Sequence, residues 1–119
     1  MKLYKSKIMK IYFNYYYLMN IIYPEIIIMN GAIIGLGHGD RVISKALEIE
    51  KIKLIGVYSR NLRKRLQYCK INNIEKNYTS IDDLVNDDNI DLVVIAIPAY
   101  YQVEIIKKCL NKNKNIFCE

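Results

Sequence analysis

The sequence predicts an α/β domain, an open parallel sheet of about five strands with helices on both faces. Three observations lead there. From residue 30 onward, short apolar runs alternate with segments of helical period. A glycine turn, Gly35-Leu36-Gly37-His38-Gly39, separates the first run from the first helical segment. The later runs carry too little polar interruption for half-exposed strands and suit parallel strands covered on both faces.

Ahead of this pattern the composition differs, because all four Met and six of the eleven Tyr lie before residue 30. Lys2, Lys5, Lys7 and Lys10 precede an apolar stretch from Ile11 to Tyr23 that is interrupted by Asn14 and Asn20. Its 13 residues are fewer than the ~20 a spanning helix needs, and no small-residue cleavage site follows. Residues 1–29 are therefore expected to be an N-terminal extension outside the core, with Met29 a natural start. A signal-like or membrane-surface segment and an ordinary extra helix are the other readings.

Within residues 30–119 the elements follow in order. Ala32-Ile33-Ile34 forms a strand that enters the glycine turn, and Val42, Ile43, Ala46 and Leu47 recur at helical spacing. Ile52 to Val57 is the second strand, ending at Tyr58-Ser59-Arg60. Leu62, Leu66 and Cys69 share one helical face, leaving Arg63, Lys64, Arg65 and Gln67 as a solvated one. Asn77-Tyr78-Thr79 suits a short edge strand. Ser80 then caps a brief helix containing Ile81, Leu84 and Val85, with Asp82 and Asp83 favourably placed in its first turn. Leu92 to Ile97 is the central strand, and Pro98 stops it. Tyr100 to Leu110 is helical with Val103, Ile106, Cys109 and Leu110 inward, and Asn115 to Cys118 begins the last strand.

Composition bounds the function. A chain of 119 residues with 52% hydrophobic and 25% charged residues is expected to fold as one domain. The net charge of +6 suits an anionic partner, but charge alone does not imply nucleic acid, and neither nucleic acid nor membrane is an expected partner. Cys69, Cys109 and Cys118 contain no C-x-x-C, and His38 is the only histidine, so neither a Cys/His zinc site nor a disulfide scaffold is expected. A cytoplasmic location is the expectation.

The residues that carry chemistry sit at strand ends. Gly35 and Gly37 fit the first two positions of G-x-G-x-x-G, with Leu36 and His38 in the same turn. Glycine there permits the tight turn and lets a pyrophosphate approach backbone N–H groups at a helix N-terminus. The third position is Asp40, a carboxylate that competes for the same helix dipole, and Gly39 or Arg41 is available to relieve it. An empty structural turn is the alternative. At the end of the second strand, 24 residues after Gly35, Ser59 stands where an acid would hold the ribose hydroxyls of NAD. Loss of that charge, with Arg60 and either Arg63 or Lys64 as donors, points to NADP over NAD. A merely solvated helix start is the alternative. Ala96-Ile97-Pro98 after the central strand is placed to border the nicotinamide side, or else simply ends the strand.

These pieces, in this order, resemble the Gfo/Idh/MocA oxidoreductases: Ala32 to His38, Leu54 to Arg60, Tyr78 to Leu84, Ile90 to Pro98 and Asn115 to Glu119. The resemblance covers residues 30–119. It implies a Rossmann-like NAD(P)-binding domain followed by a substrate domain, and hydride transfer between a nicotinamide and a carbon centre, often a sugar or cyclitol hydroxyl. Glu119 is a further candidate cofactor-binding residue. After Cys118-Glu119 the family has Lys-Pro, with that lysine at the reacting centre. The chain given stops before it, so the sheet is expected to be incomplete at its C-terminal end, the substrate domain absent, and no catalytic residue is assigned. The family's Thr, Asn and His around the proline are Ile97, Ala99 and Gln102 here. Two readings remain beside an incomplete oxidoreductase: a stand-alone NAD(P)-binding regulatory or partner module, and an anionic-surface binder with an empty turn. The expected partners are the dinucleotide and either a second chain supplying the missing domain or a second copy of this one.

Overall fold

A computed structural model describes residues 2–4, 29–37 and 52–118 of the chain, with side chains described from residue 29 onward. The Val42–Leu47 helix, His38 and Glu119 lie outside the described residues, as do residues 5–28 of the expected extension. The strands are β1 (Lys2–Tyr4), β2 (Met29–Ile34), β3 (Ile52–Tyr58), β4 (Lys76–Asn77), β5 (Leu92–Ile95) and β6 (Asn115–Cys118). The described helices are α1 (Leu62–Asn72), α2 (Ile81–Asn86) and α3 (Ala99–Asn111).

They form one sheet in the order β1-β6-β5-β2-β3-β4. Strands β2 to β6 are parallel throughout, and β1 adds to β6 in antiparallel sense, with Leu3 opposite Phe117. The expected five-stranded open parallel sheet is thus present, and β1 lies on its outer edge. Connections run one way from β2 through β3 to β4 and the other way from β5 to β6, so direction reverses between β2 and β5. A crevice for a ligand is expected beyond the carboxyl ends of those two strands.

Alternation along the strands divides the core into two layers. Ala32, Ile34, Val93, Ile95, Ile116 and Cys118 face one side, where α2 and α3 pack through Leu84, Val85, Ile105 and Cys109. Met29, Ile33, Val57, Leu92 and Val94 face the other, where Tyr68 and Cys69 of α1 lie. Both faces of β2 and β5 are covered, and Ala32, Ile33, Leu92 and Val93 are fully buried. That explains the uninterrupted apolar runs. Met29 is itself a buried strand residue, so the first parallel strand begins one residue before the expected boundary.

Two helices lie in a different phase from the expected one. In α1, Leu62 and Leu66 are half exposed, whereas Arg65 is buried at 7% exposure and Tyr68 and Cys69 flank it inward. The Arg63–Gln67 stretch is therefore not uniformly a solvated face. Arg65 can turn inward because its Nη1 donates to Ser59 O at 2.8 Å and its guanidinium lies 5.9 Å from the centre of the Tyr58 ring. In α3, Val103 and Leu110 face solvent while Gln102, Ile105 and Cys109 face in. The Gln102 amide bonds Ile97 O and the Cys118 thiol, which lets a polar residue occupy the inward stripe.

The expected capped helix is present as α2: Ser80 Oγ accepts from Asp83 N at 3.1 Å, and Asp82 and Asp83 occupy the first turn. Just beyond α2, the Asp87 carboxylate accepts from Lys76 Nζ and Tyr78 Oη, both at 2.6 Å. Those hydrogen bonds hold its pKa down to about 2, while burial and the Asp87 charge push the Tyr78 phenol up. Buried Lys114 completes this corner by donating to Asp87 O and Ile90 O.

Candidate functional site

Strand β2 ends against β5, and the residue that follows must turn sharply without a side chain. Gly35 has φ +99, its N–H donates to Tyr58 O at 2.8 Å, and a Cβ there would stand 2.5 Å from Ala96 O. Only glycine fits such an approach in that conformation. Gly37 differs. A Cβ built on it meets nothing within 4 Å among the described residues, and it lines open space.

That space is a cleft of about 550 Å³ at the carboxyl ends of the parallel strands. Its base is Ile34 to Gly37. One wall is the turn from β3 into α1, Tyr58 to Asn61, with Lys64 above it. The opposite wall is Ala96-Ile97-Pro98 with Tyr101, Glu104 and Lys108 of α3.

Local hydrogen bonds fix both walls. In the first, Ser59 Oγ accepts from Asn61 N at 3.3 Å, and Asn61 Oδ1 caps α1 by accepting from Lys64 N at 3.0 Å. Ser59 is buried while Arg60 and Lys64 are exposed, so their charges can swing over the cleft while the backbone beneath stays set. In the second, Gln102 Nε2 donates to Ile97 O at 2.7 Å, and the Cys118 thiol bonds Gln102 Oε1 at 3.0 Å. This chain of contacts ties the turn after β5 to the end of β6. Burial raises the pKa of the Cys118 thiol, and of Cys109 more strongly, to about 11, keeping both protonated at neutral pH. Among the described residues, no group of three or more His, Cys, Asp or Glu side chains is placed to hold a metal ion.

Of the residues expected at the site, Gly35, Leu36, Gly37, Ser59, Arg60, Ala96, Ile97 and Pro98 line this single cleft. Arg63 is exposed on α1 and does not line it; Lys64, the alternative donor, does. His38 and Glu119 lie outside the described residues. Tyr58, Asn61, Ile81, Tyr101, Glu104, Ile105 and Lys108 also line the cleft and were not expected there. Asn61 was detectable as a capping residue immediately before a helical segment. Tyr101, Glu104, Ile105 and Lys108 share one stripe of α3 by their spacing, but the sequence does not say that the stripe faces a cleft.

The model of the oxidoreductase family with an NAD-binding Rossmann fold, GFO_IDH_MocA, matches residues 29–119. Trans-1,2-dihydrobenzene-1,2-diol dehydrogenase of Xenopus laevis is 30% identical over 67 residues, 56% of this chain and 20% of that protein. Among solved structures, scyllo-inositol dehydrogenase of Lactobacillus casei with bound NAD(H) and scyllo-inositol superimposes with a TM-score of 0.69 at 26% identity, covering 76% of this chain and 27% of that one. An oxidoreductase of Desulfitobacterium hafniense, described as NADPH-dependent, superimposes with a TM-score of 0.69 at 30% identity, covering 76% and 26%. The chain thus spans 20% to 27% of the length of these relatives.

Proposed function

The chain belongs to the Gfo/Idh/MocA family of oxidoreductases, with its NAD-binding Rossmann domain, and from that premise we propose that it binds NADP(H) in preference to NAD(H). In this reading it is the nucleotide-binding part of an enzyme that moves a hydride between the nicotinamide and a carbon of a sugar or cyclitol. The observation that carries the reading is the cleft at the reversal between β2 and β5, at whose base no described residue approaches the place where a Gly37 side chain would stand. That opening fits a pyrophosphate lying against backbone.

When bound, the nicotinamide supplies or takes up the hydride. The residues of this chain bind and orient it. Gly35 to Gly37 receive the pyrophosphate, and the Ser59-Arg60 turn receives the adenosine ribose. Ile97 and Pro98 give the nicotinamide side an apolar shelf, held by Gln102. Ser59 offers a hydroxyl and no negative charge to the ribose, and Arg60 and Lys64 add cations, which supports a 2′-phosphate. The inositol dehydrogenase among the structural relatives supports the cyclitol class.

Titration of the full chain with NADPH and NADH tests the cofactor reading. Micromolar binding of NADPH is expected, at least about tenfold tighter than NADH, a difference of about 1.4 kcal/mol. Arg60→Glu should remove that advantage. Equal affinities in the native chain would overturn the NADP preference, and binding of neither nucleotide would overturn the site.

A further inference from the structure

We propose that Arg65 is a specificity-determining residue of this cleft, a buried cation that acts through Ser59 to favour a phosphorylated ribose over a plain one. The proposal rests on the dinucleotide reading above and adds a buried residue that does not itself line the cleft.

Arg65 stands on the inward face of α1, a position that would ordinarily carry an apolar side chain, and only 7% of it is exposed. A guanidinium stays charged at every accessible pH, and burying it without an anion is costly. Among the described residues no carboxylate pairs with it, and its Nε–H is buried without any hydrogen-bond partner. The compensation it does have is the Ser59 carbonyl and the face of Tyr58. Both belong to the wall of the cleft. Among the described residues the charge is therefore incompletely balanced, and it lies directly behind the turn proposed for the ribose.

Two consequences follow for a ligand. The Ser59 carbonyl, whose negative end would repel an anion at the turn, is occupied by Nη1 at 2.8 Å. In addition, a fixed positive charge in a poorly solvated position is screened less by salt than the exposed Arg60 and Lys64. On this wall of the cleft, from Tyr58 to Asn61 and Lys64, there is no carboxylate to offset it. The chemistry that completes the balance is a phosphate dianion at the ribose 2′ position.

The test measures NADPH and NADH dissociation constants for the full chain carrying Arg65→Met and Arg65→Lys, at low and moderate salt, with thermal denaturation as a folding control. Arg65→Met keeps length and packing while removing the charge. It should weaken NADPH at least about tenfold, leave NADH within about twofold, and make the remaining preference more salt-sensitive. Arg65→Lys should restore part of the ratio. A purely structural residue would change both affinities together, so an unchanged NADPH to NADH ratio in Arg65→Met overturns the proposal while leaving the dinucleotide site intact. A native chain that prefers NADH overturns the proposal and the NADP preference. A native chain that binds neither nucleotide overturns the dinucleotide reading itself.

Discussion

At the scale of single residues, the two glycines of the turn do different work. Gly35 serves the backbone, because positive φ and the Ala96 carbonyl leave no room for a Cβ. Gly37 meets no such constraint among the described residues, and in the proposed reading the pyrophosphate takes the space a side chain would fill. Gly37→Val should therefore leave the thermal midpoint nearly unchanged and abolish binding of NADPH and NADH alike. Calorimetric titration beside a denaturation curve checks this, and retained binding would remove the turn from the site. Asp87 makes a second residue-level prediction. Its pKa is lowered from the ordinary 3.8 to about 2 on folding, chiefly by hydrogen bonds from Lys76 and Tyr78. A carboxylate depressed in this way contributes stability that is fully present above pH ~4 and is lost as pH falls through about 2. Asp87→Asn should be less stable than the native chain at neutral pH and should lose less on acidification across that window, measured by urea denaturation at each pH.

At the scale of elements, the short helix α2 depends on its start. Six residues are too few for independent helical stability, so the Ser80 Oγ bond to Asp83 N matters more than in a long helix. Ser80→Ala should cost about 1 kcal/mol, read by equilibrium unfolding, with nucleotide affinity unaltered. This helix was legible in the sequence because its signal is local: a capping serine, two aspartates, then Leu84 and Val85. The strands were legible for a related reason, since burial on both faces leaves an apolar run regardless of what covers it. The phases of α1 and α3 were not legible. Their inward stripes contain Arg65 and Gln102, polar residues made acceptable by partners distant in the fold, at Ser59, Ile97 and Cys118. Pattern reading assigns such residues outward and moves Leu62, Leu66, Val103 and Leu110 inward in their place. In the cleft, the strand-end residues were legible because topology alone places them; the α3 stripe required knowledge of how that helix sits.

At the scale of the whole molecule, the cleft joins elements that no single strand or helix holds together. Its walls come from the β3–α1 turn and from α3, on either side of the reversal between β2 and β5. A ligand seated there contacts both halves of the sheet and binds only the folded state. NADPH at about one hundred times its dissociation constant should therefore add about 2.7 kcal/mol to stability. Differential scanning calorimetry across a concentration series should show the midpoint rising continuously with NADPH, and less with NADH at the same concentration. A midpoint that ignores NADPH while titration shows binding would mean that the nucleotide also binds the unfolded chain.

The pairing of Lys2–Tyr4 with Ile116–Cys118 bears on how the molecule assembles. Helix α2 and the β2–β3 pair can organise early, from neighbours close along the chain. The β1–β6 ladder closes a loop of almost the entire polypeptide, the largest entropic cost of any contact in the sheet, and returns few hydrogen bonds for it. It belongs among the last contacts made and the first to open. Its amides should exchange with solvent far sooner than those of β2 and β5, and weakening it should quicken unfolding while hardly slowing the formation of the central strands.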